Sequence, residues 1–198
     1  MDKVVKTRRG GPRTFDRAQA VDTAMRLFWR HGYEGVSLND LTSAIGIAPP
    51  SLYAAFGSKA GLYHEALDHY FELPGSVHDI SGASSLQDAV ATLLRRSINA
   101  VTAPERERGC MISSGMIECA SEHAVLALEL AKRRNSMRDM IAESLTRWFD
   151  QDRAVALARY LVAILQGLSI QARDGASREE LEQVSAEVMK GLQARFPG

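Results

Sequence analysis

Excess charge of either sign, cysteine and long apolar runs are all scarce in this 198-residue chain. Lys+Arg and Asp+Glu stand at 24 each, so the chain is not basic or acidic as a whole. There are two cysteines, Cys110 and Cys119. Read as members of one helix, they are separated by about 13.5 Å at 1.5 Å per residue, more than twice the Cα spacing of a disulfide, about 5.5–6 Å. They are therefore expected not to pair, which fits a reducing compartment. No run approaches the ~20 apolar residues of a membrane span. The start, MDKVVKTRRGGPR, is charged but is followed by no apolar segment, which argues against a secretory signal and for the cytoplasm. The five histidines show no metal spacing: His64 and His69 are five apart, not four, and His123 is isolated. No metal and no cofactor are expected. No nucleophile–base pair or phosphate loop points to an enzyme.

Charge is present, but unevenly. Residues 1–59 hold nine Lys+Arg against five Asp+Glu, and the remainder holds 15 against 19. A basic first third beside an acidic remainder points to nucleic acid as a partner of the first part only.

The pattern reads as helical throughout, with no β-type alternation, internal repeat or low-complexity segment. Val21, Ala24, Met25 and Phe28 fall at i, i+3, i+4, i+7 and predict a helix from Phe15 to about Arg30, stopped at His31-Gly32. Ser37 is a helix cap for Leu38 to Ile45, and Gly46 closes that helix. Pro49 and Pro50 then occupy the first turn of a third helix ending at Phe56, where a missing N–H carries no penalty. A fourth helix follows from about Lys59 to Phe71, with Ser58 as its cap. Glu72 to Ser85 reads as a linker by its Pro, Gly and Ser content. Further helices are expected after Leu86, from Cys110 to about Ala120, from Glu122 to Asp150, and on the stripes Ala154 to Leu168 and Leu181 to Leu192; Thr102 to Gly109 is a charged loop.

A capped helix, a glycine turn and a short, abruptly started helix make a helix-turn-helix, whose second helix enters the DNA major groove. The stretch HGYEGVSLNDLTSAIGIAPPSLYAAFGSKAGL resembles the DNA-binding domain of the TetR/AcrR family of bacterial transcriptional repressors. The likeness runs from Phe15 to Leu73 and rests on several elements agreeing in spacing: Gly32-Tyr33, Ser37, Gly46, Leu52-Tyr53-x-x-Phe56, and Lys59 followed by Leu62. Ala48 stands where the family usually has a hydroxyl residue before the recognition helix. The resemblance implies an all-α chain: a basic arm over 1–14, a three-helix DNA-binding domain over 15–60, and an antiparallel helical effector-binding and dimerisation domain over 61–198.

By the resemblance, Lys59 contacts phosphate and the Tyr53 hydroxyl meets the DNA backbone. Lysine is a compact charge suited to phosphate rather than to reading bases. Ser37 and Ser51 offer hydroxyls, although Ser37 also reads as a plain cap. Ala48, Pro49, Pro50, Ala54 and Ala55 bring no side-chain donors, so this helix offers apolar contact to thymine methyls more than bidentate readout. Arg8, Arg9 and Arg13 resemble arms that reach into a narrow minor groove; a solubilising tail is the other reading of the same residues.

The resemblance further implies a homodimer that leaves a pseudo-palindromic operator when a small hydrophobic effector binds. Tyr70, Met111, Ser113, Ser114, Met116, Met137, Met140 and Gln166 are the expected pocket residues, a lining suited to a mostly apolar, drug-sized molecule. Leu157, Leu161, Ile164, Leu168, Leu181, Val184 and Val188 are the expected dimer contacts. Cys110 follows Arg106 and Arg108 and opens a helix, features that activate a thiol, so a redox- or electrophile-sensing repressor stays open as an alternative. An architectural DNA-binding protein without an effector is another, and an all-helical enzyme is the least supported.

Overall fold

The computed structural model describes residues 15–73, 80 and 82–197. The arm residues Arg8, Arg9 and Arg13 lie outside the described residues, as does most of the linker. Helix α1 (Arg17–His31) starts two residues inside the expected bound because the Asp16 carboxylate accepts from the Gln19 N–H and fixes the first turn there. Helix α2 (Leu38–Ile45) opens on a reciprocal capping box between Ser37 and Asp40 and closes on Gly46, whose φ of 77° is left-handed; a side chain at that position would be strained.

Helix α3 (Pro49–Phe56) has no side-chain cap, since Ala48 has no oxygen to offer. Its prolines solve the problem differently. A helix leaves its first N–H groups without intrahelical partners, but Pro49 and Pro50 have none to leave, and the Ser51 and Leu52 N–H groups donate to the Ala48 carbonyl. The paired prolines thus stand in for the missing hydroxyl cap. Arg17 secures the other end of α3 by donating to the Ala55 carbonyl at 2.7 Å.

Helix α4 (Lys59–Glu72), capped by Ser58, completes the first core. Leu62, Tyr63, Ala66 and Leu67 pack with Phe28, Leu41 and Leu52, and the same cluster takes in Met111, Leu130 and Met137 from further along the chain. The first core therefore does not stop at residue 60. A second core joins α5 (Leu86–Val101), the later part of α7 (Ala124–Leu145), α8 (Gln151–Arg173) and α9 (Arg178–Arg195).

Between the two cores the chain departs from expectation. Only Met111–Ser114 is α-helical (α6) in the stretch expected to be a helix to Ala120. Gly115 lies so close under Leu130 that a Cβ there would come within 2.5 Å of Leu130 Cδ2, and Met116 has a positive φ of 51°. The chain turns, so Cys110 and Cys119 do not share a helix; both are free thiols. One 3₁₀ turn, Ser121–His123, precedes α7. By length and mean hydropathy α8 is a candidate membrane span, but its leucines form the second core.

That burial also takes up most of the expected dimer contacts. Leu157, Leu161, Leu168, Leu181 and Val188 are buried inside the single chain, Leu161 and Leu181 at 0% exposure. They have no surface left for a partner. Ile164 and Val184 are half-buried against the same core. The apolar positions that α8 turns outward are Ala156, Tyr160, Ala163 and Ile170, at helical spacing.

Arg173, at the end of α8, ties the two cores together. Its guanidinium donates to the Trp29 carbonyl at 2.5 Å and the Arg30 carbonyl at 3.1 Å, and to Ser114 Oγ at 2.6 Å. These are carbonyls of the last turn of α1, where a cation also complements the helix dipole. Gly109 permits the approach of the preceding loop: a Cβ there would fall 2.9 Å from the Ser169 carbonyl. Charge-assisted hydrogen bonds of this kind contribute about 1.5–3 kcal/mol. Arg173→Met is expected to lower unfolding free energy by about that amount in denaturant titration, and Arg173→Lys to recover only part, since a point charge cannot span three acceptors.

Candidate functional site

The surface formed by α2, α3 and the start of α4 carries the expected DNA residues. Ala48, Pro49, Pro50, Ser51 and Tyr53 are all exposed. Ser37 is exposed too, but its hydroxyl donates to Asp40 Oδ2 at 2.7 Å and accepts from the Asp40 N–H. Its hydroxyl is thus part of the cap of α2, the other role the sequence offered for it. The same contacts hold the Asp40 carboxyl below its ordinary pKa, first through the Ser37 hydroxyl and then through its backbone. Lys59 is half-buried at the first turn of α4, with Nζ 4.2 Å from the centre of the Tyr33 ring. Burial lowers its pKa, opposed by Glu34 and Asp40. The ring limits the freedom of the long side chain and keeps the ammonium at a helix N-terminus, where partial positive charge already favours an anion.

A cavity of about 50 Å³ lies between the two cores. Trp29 reaches it from α1, Tyr70 and Phe71 from α4, and Ser97 and Val101 from α5. Cys110, Ile112, Met137 and Leu165 close the other side, with Arg106 also on the wall. The Trp29 and Tyr70 rings meet edge to face at 4.8 Å. Burial, and then the neighbouring Cys110, raise Tyr70 well above the ordinary tyrosine pKa; its hydroxyl meets the Cys110 side chain and the Met111 backbone. Trp29 Nε1 and Ser97 Oγ are the two buried side-chain polar atoms without a hydrogen-bond partner among the described residues. An unsatisfied buried group costs about 1–3 kcal/mol, and both of these residues line the one cavity.

Comparison with known proteins agrees with this layout. A sequence profile described as bacterial regulatory proteins of the tetR family matches residues 20–66, and one described as the C-terminal domain of LmrA/YxaF-like transcriptional regulators matches residues 87–187. The transcriptional repressor ComR of Escherichia coli K12 is 34% identical over 199 residues, covering 94% of this chain and 93% of ComR. The chain belongs to the TetR family. The repressor BdcR of the same organism is 32% identical, covering 87% of this chain and 86% of BdcR. A cysteine-substituted variant of the TetR regulator CifR, solved with a 26-bp operator duplex, matches with a TM-score of 0.84 at 37% identity, covering 91% of this chain and 98% of that one. This TetR-family chain is accordingly a DNA-binding transcriptional regulator and not an enzyme.

Of the eight expected effector residues, the cavity brings together Tyr70, Ser113 and Met137. Met111 and Met116 are buried in the first core. The Ser114 hydroxyl is engaged by Arg173 and the Cys110 carbonyl. Met140 is 39% exposed and faces away, and Gln166 is half-buried without lining the cavity. The described space is also far below the roughly 300–1,000 Å³ of a drug-sized site. Trp29 and Ser97 were missed. Trp29 sits on the apolar stripe of α1 and reads as core. Ser97 lies between Leu93, Leu94 and Ile98 on the buried face of α5, and a lone serine there is the signal that was legible.

Lys59→Ala is expected to weaken operator binding evenly across sequences and to lower the salt slope of log K by about one. A titration of operator affinity against salt checks this; an unchanged slope removes the phosphate role.

Proposed function

We propose that this TetR-family regulator is a homodimeric repressor that leaves a pseudo-palindromic operator when a small, mostly apolar effector enters the cavity between its two cores. The observation that carries the reading is Trp29. It belongs to the first helix of the DNA-binding unit, yet its ring forms part of the cavity wall. An occupant that moves Trp29 acts directly on α1, and α1 shares one core with α2, α3 and α4. Two arrangements of the DNA-binding unit with different affinity for an occupied cavity suffice for release. A CifR variant, solved in complex with its operator duplex, and the repressors ComR and BdcR support the DNA side of this reading.

The homodimer rests on the outward face of α8. Tyr160 and Ile170 are 43% and 41% exposed, and with Ala156 and Ala163 they make a narrow apolar stripe that a symmetry mate would cover. Two-fold symmetry in the protein matches two-fold symmetry in the operator. Tyr160→Glu combined with Ala163→Glu is expected to give monomers in sedimentation at micromolar concentration and to abolish tight operator binding. A dimer that survives both substitutions excludes this face.

The place of Cys110 on the cavity wall against Tyr70 favours a second reading, release through oxidation or alkylation of its thiol. Arg108 does not contribute, since its guanidinium donates to the Ala176 carbonyl. Under this reading, hydrogen peroxide or iodoacetamide releases the wild-type protein from operator and leaves Cys110→Ser bound. Release of both proteins, or of neither, removes it.

A further inference from the structure

The cavity has a more specific chemistry than its apolar wall suggests. Trp29 is 3% exposed and Ser97 7%, and the indole N–H and the hydroxyl are both without partners among the described residues. An indole nitrogen only donates, and a serine hydroxyl can turn its proton toward the same acceptor. Around them stand side chains that offer hydrocarbon, among them Phe71, Val101, Ile112 and Leu165.

We propose that the cavity binds a small uncharged organic molecule carrying one acceptor oxygen, a ketone, aldehyde or ether, whose oxygen accepts from Trp29 Nε1–H and Ser97 Oγ–H while its hydrocarbon part lies on the apolar wall. The inference rests on the effector reading of the same cavity. Size follows from the space: one water needs about 10–15 Å³ by this measure, so 50 Å³ suits about three to five non-hydrogen atoms. Neutrality follows from the wall, where Arg106 is the one charged side chain among otherwise neutral ones. Arg106 is half-buried on the loop before Gly109, and the two unpartnered groups are themselves neutral. A carboxylate there would keep little compensation for its lost hydration.

The full-length protein labelled with 5-fluorotryptophan tests the idea. Its two tryptophans give two ¹⁹F signals, assigned with Trp148→Phe. The probes are butanone, 2-methyl-1-butene (the same shape with the carbonyl oxygen replaced by a methylene group) and butyrate. Butanone is expected to shift the Trp29 signal saturably, to bind about tenfold more tightly than the alkene, and to lose about fivefold in Ser97→Ala. Equal binding of ketone and alkene, tighter binding of butyrate, or no shift with butanone overturns the proposal. Operator affinity is measured separately. Butanone that binds in the stated pattern without weakening operator binding leaves the site chemistry standing and contradicts the effector reading. Another compound that releases the operator while butanone fails to bind does the reverse.

Discussion

The two halves of the molecule meet at Trp29. Its carbonyl accepts from Arg173 at the end of α8, and its ring packs edge-on to Tyr70 over the cavity. The residue is part of α1, and α1 is the scaffold for the recognition helix: Arg17 at its start caps α3 through the Ala55 carbonyl, and Phe28 near its end anchors the shared aromatic cluster with Tyr33 and Tyr63. Trp29 and the helices that carry the DNA-facing surface therefore share one packed core. Close-packed cores move between discrete arrangements rather than deforming smoothly. Further links of the same kind, Arg30 with Glu107 and the Glu34 carboxylate with the Ala120 N–H, set the last turn of α1 against the body. They are exposed and contribute direction more than stability.

The recognition helix shows how an unusual local sequence reaches a familiar geometry. Without a hydroxyl at Ala48, the first turn of α3 would expose unpaired N–H groups. Two prolines delete two of them, and the backbone of Ala48 receives the next two. The resulting surface is poor in side-chain donors and sets apolar groups beside the ammonium of Lys59.

Local signals were legible in the sequence, and the contacts between elements were not. Ser37, Gly46, Pro49-Pro50 and Ser58 mark helix ends within their own neighbourhoods, and α2 and α3 begin and end where those residues place them. The stretch after Cys110 failed because Gly115 and Met116 turn under Leu130, a contact from another helix that periodicity cannot register. Five of the expected dimer residues are buried within the chain for a related reason. Helix α8 is apolar on two faces, and the leucine-rich one, which reads as the stronger interface, fills the core, while the alanine and tyrosine stripe faces out. The cavity gathers side chains from six helices and the loop between α5 and α6. Its two informative polar atoms are single residues within apolar runs, visible as oddities but not as neighbours.

Under the proposed function, occupancy of the cavity is felt at α1. Amide hydrogen exchange, measured on the full-length protein with and without saturating butanone, reads this directly, since opening of a helix turn exposes its N–H groups to solvent. Altered protection is expected in the last turn of α1, including the Gly32 N–H that donates to the Phe28 carbonyl, and in α3, together with α5 and α6. Altered protection confined to α5, α6 and α7, with α1 and α3 unchanged at saturation, would contradict it.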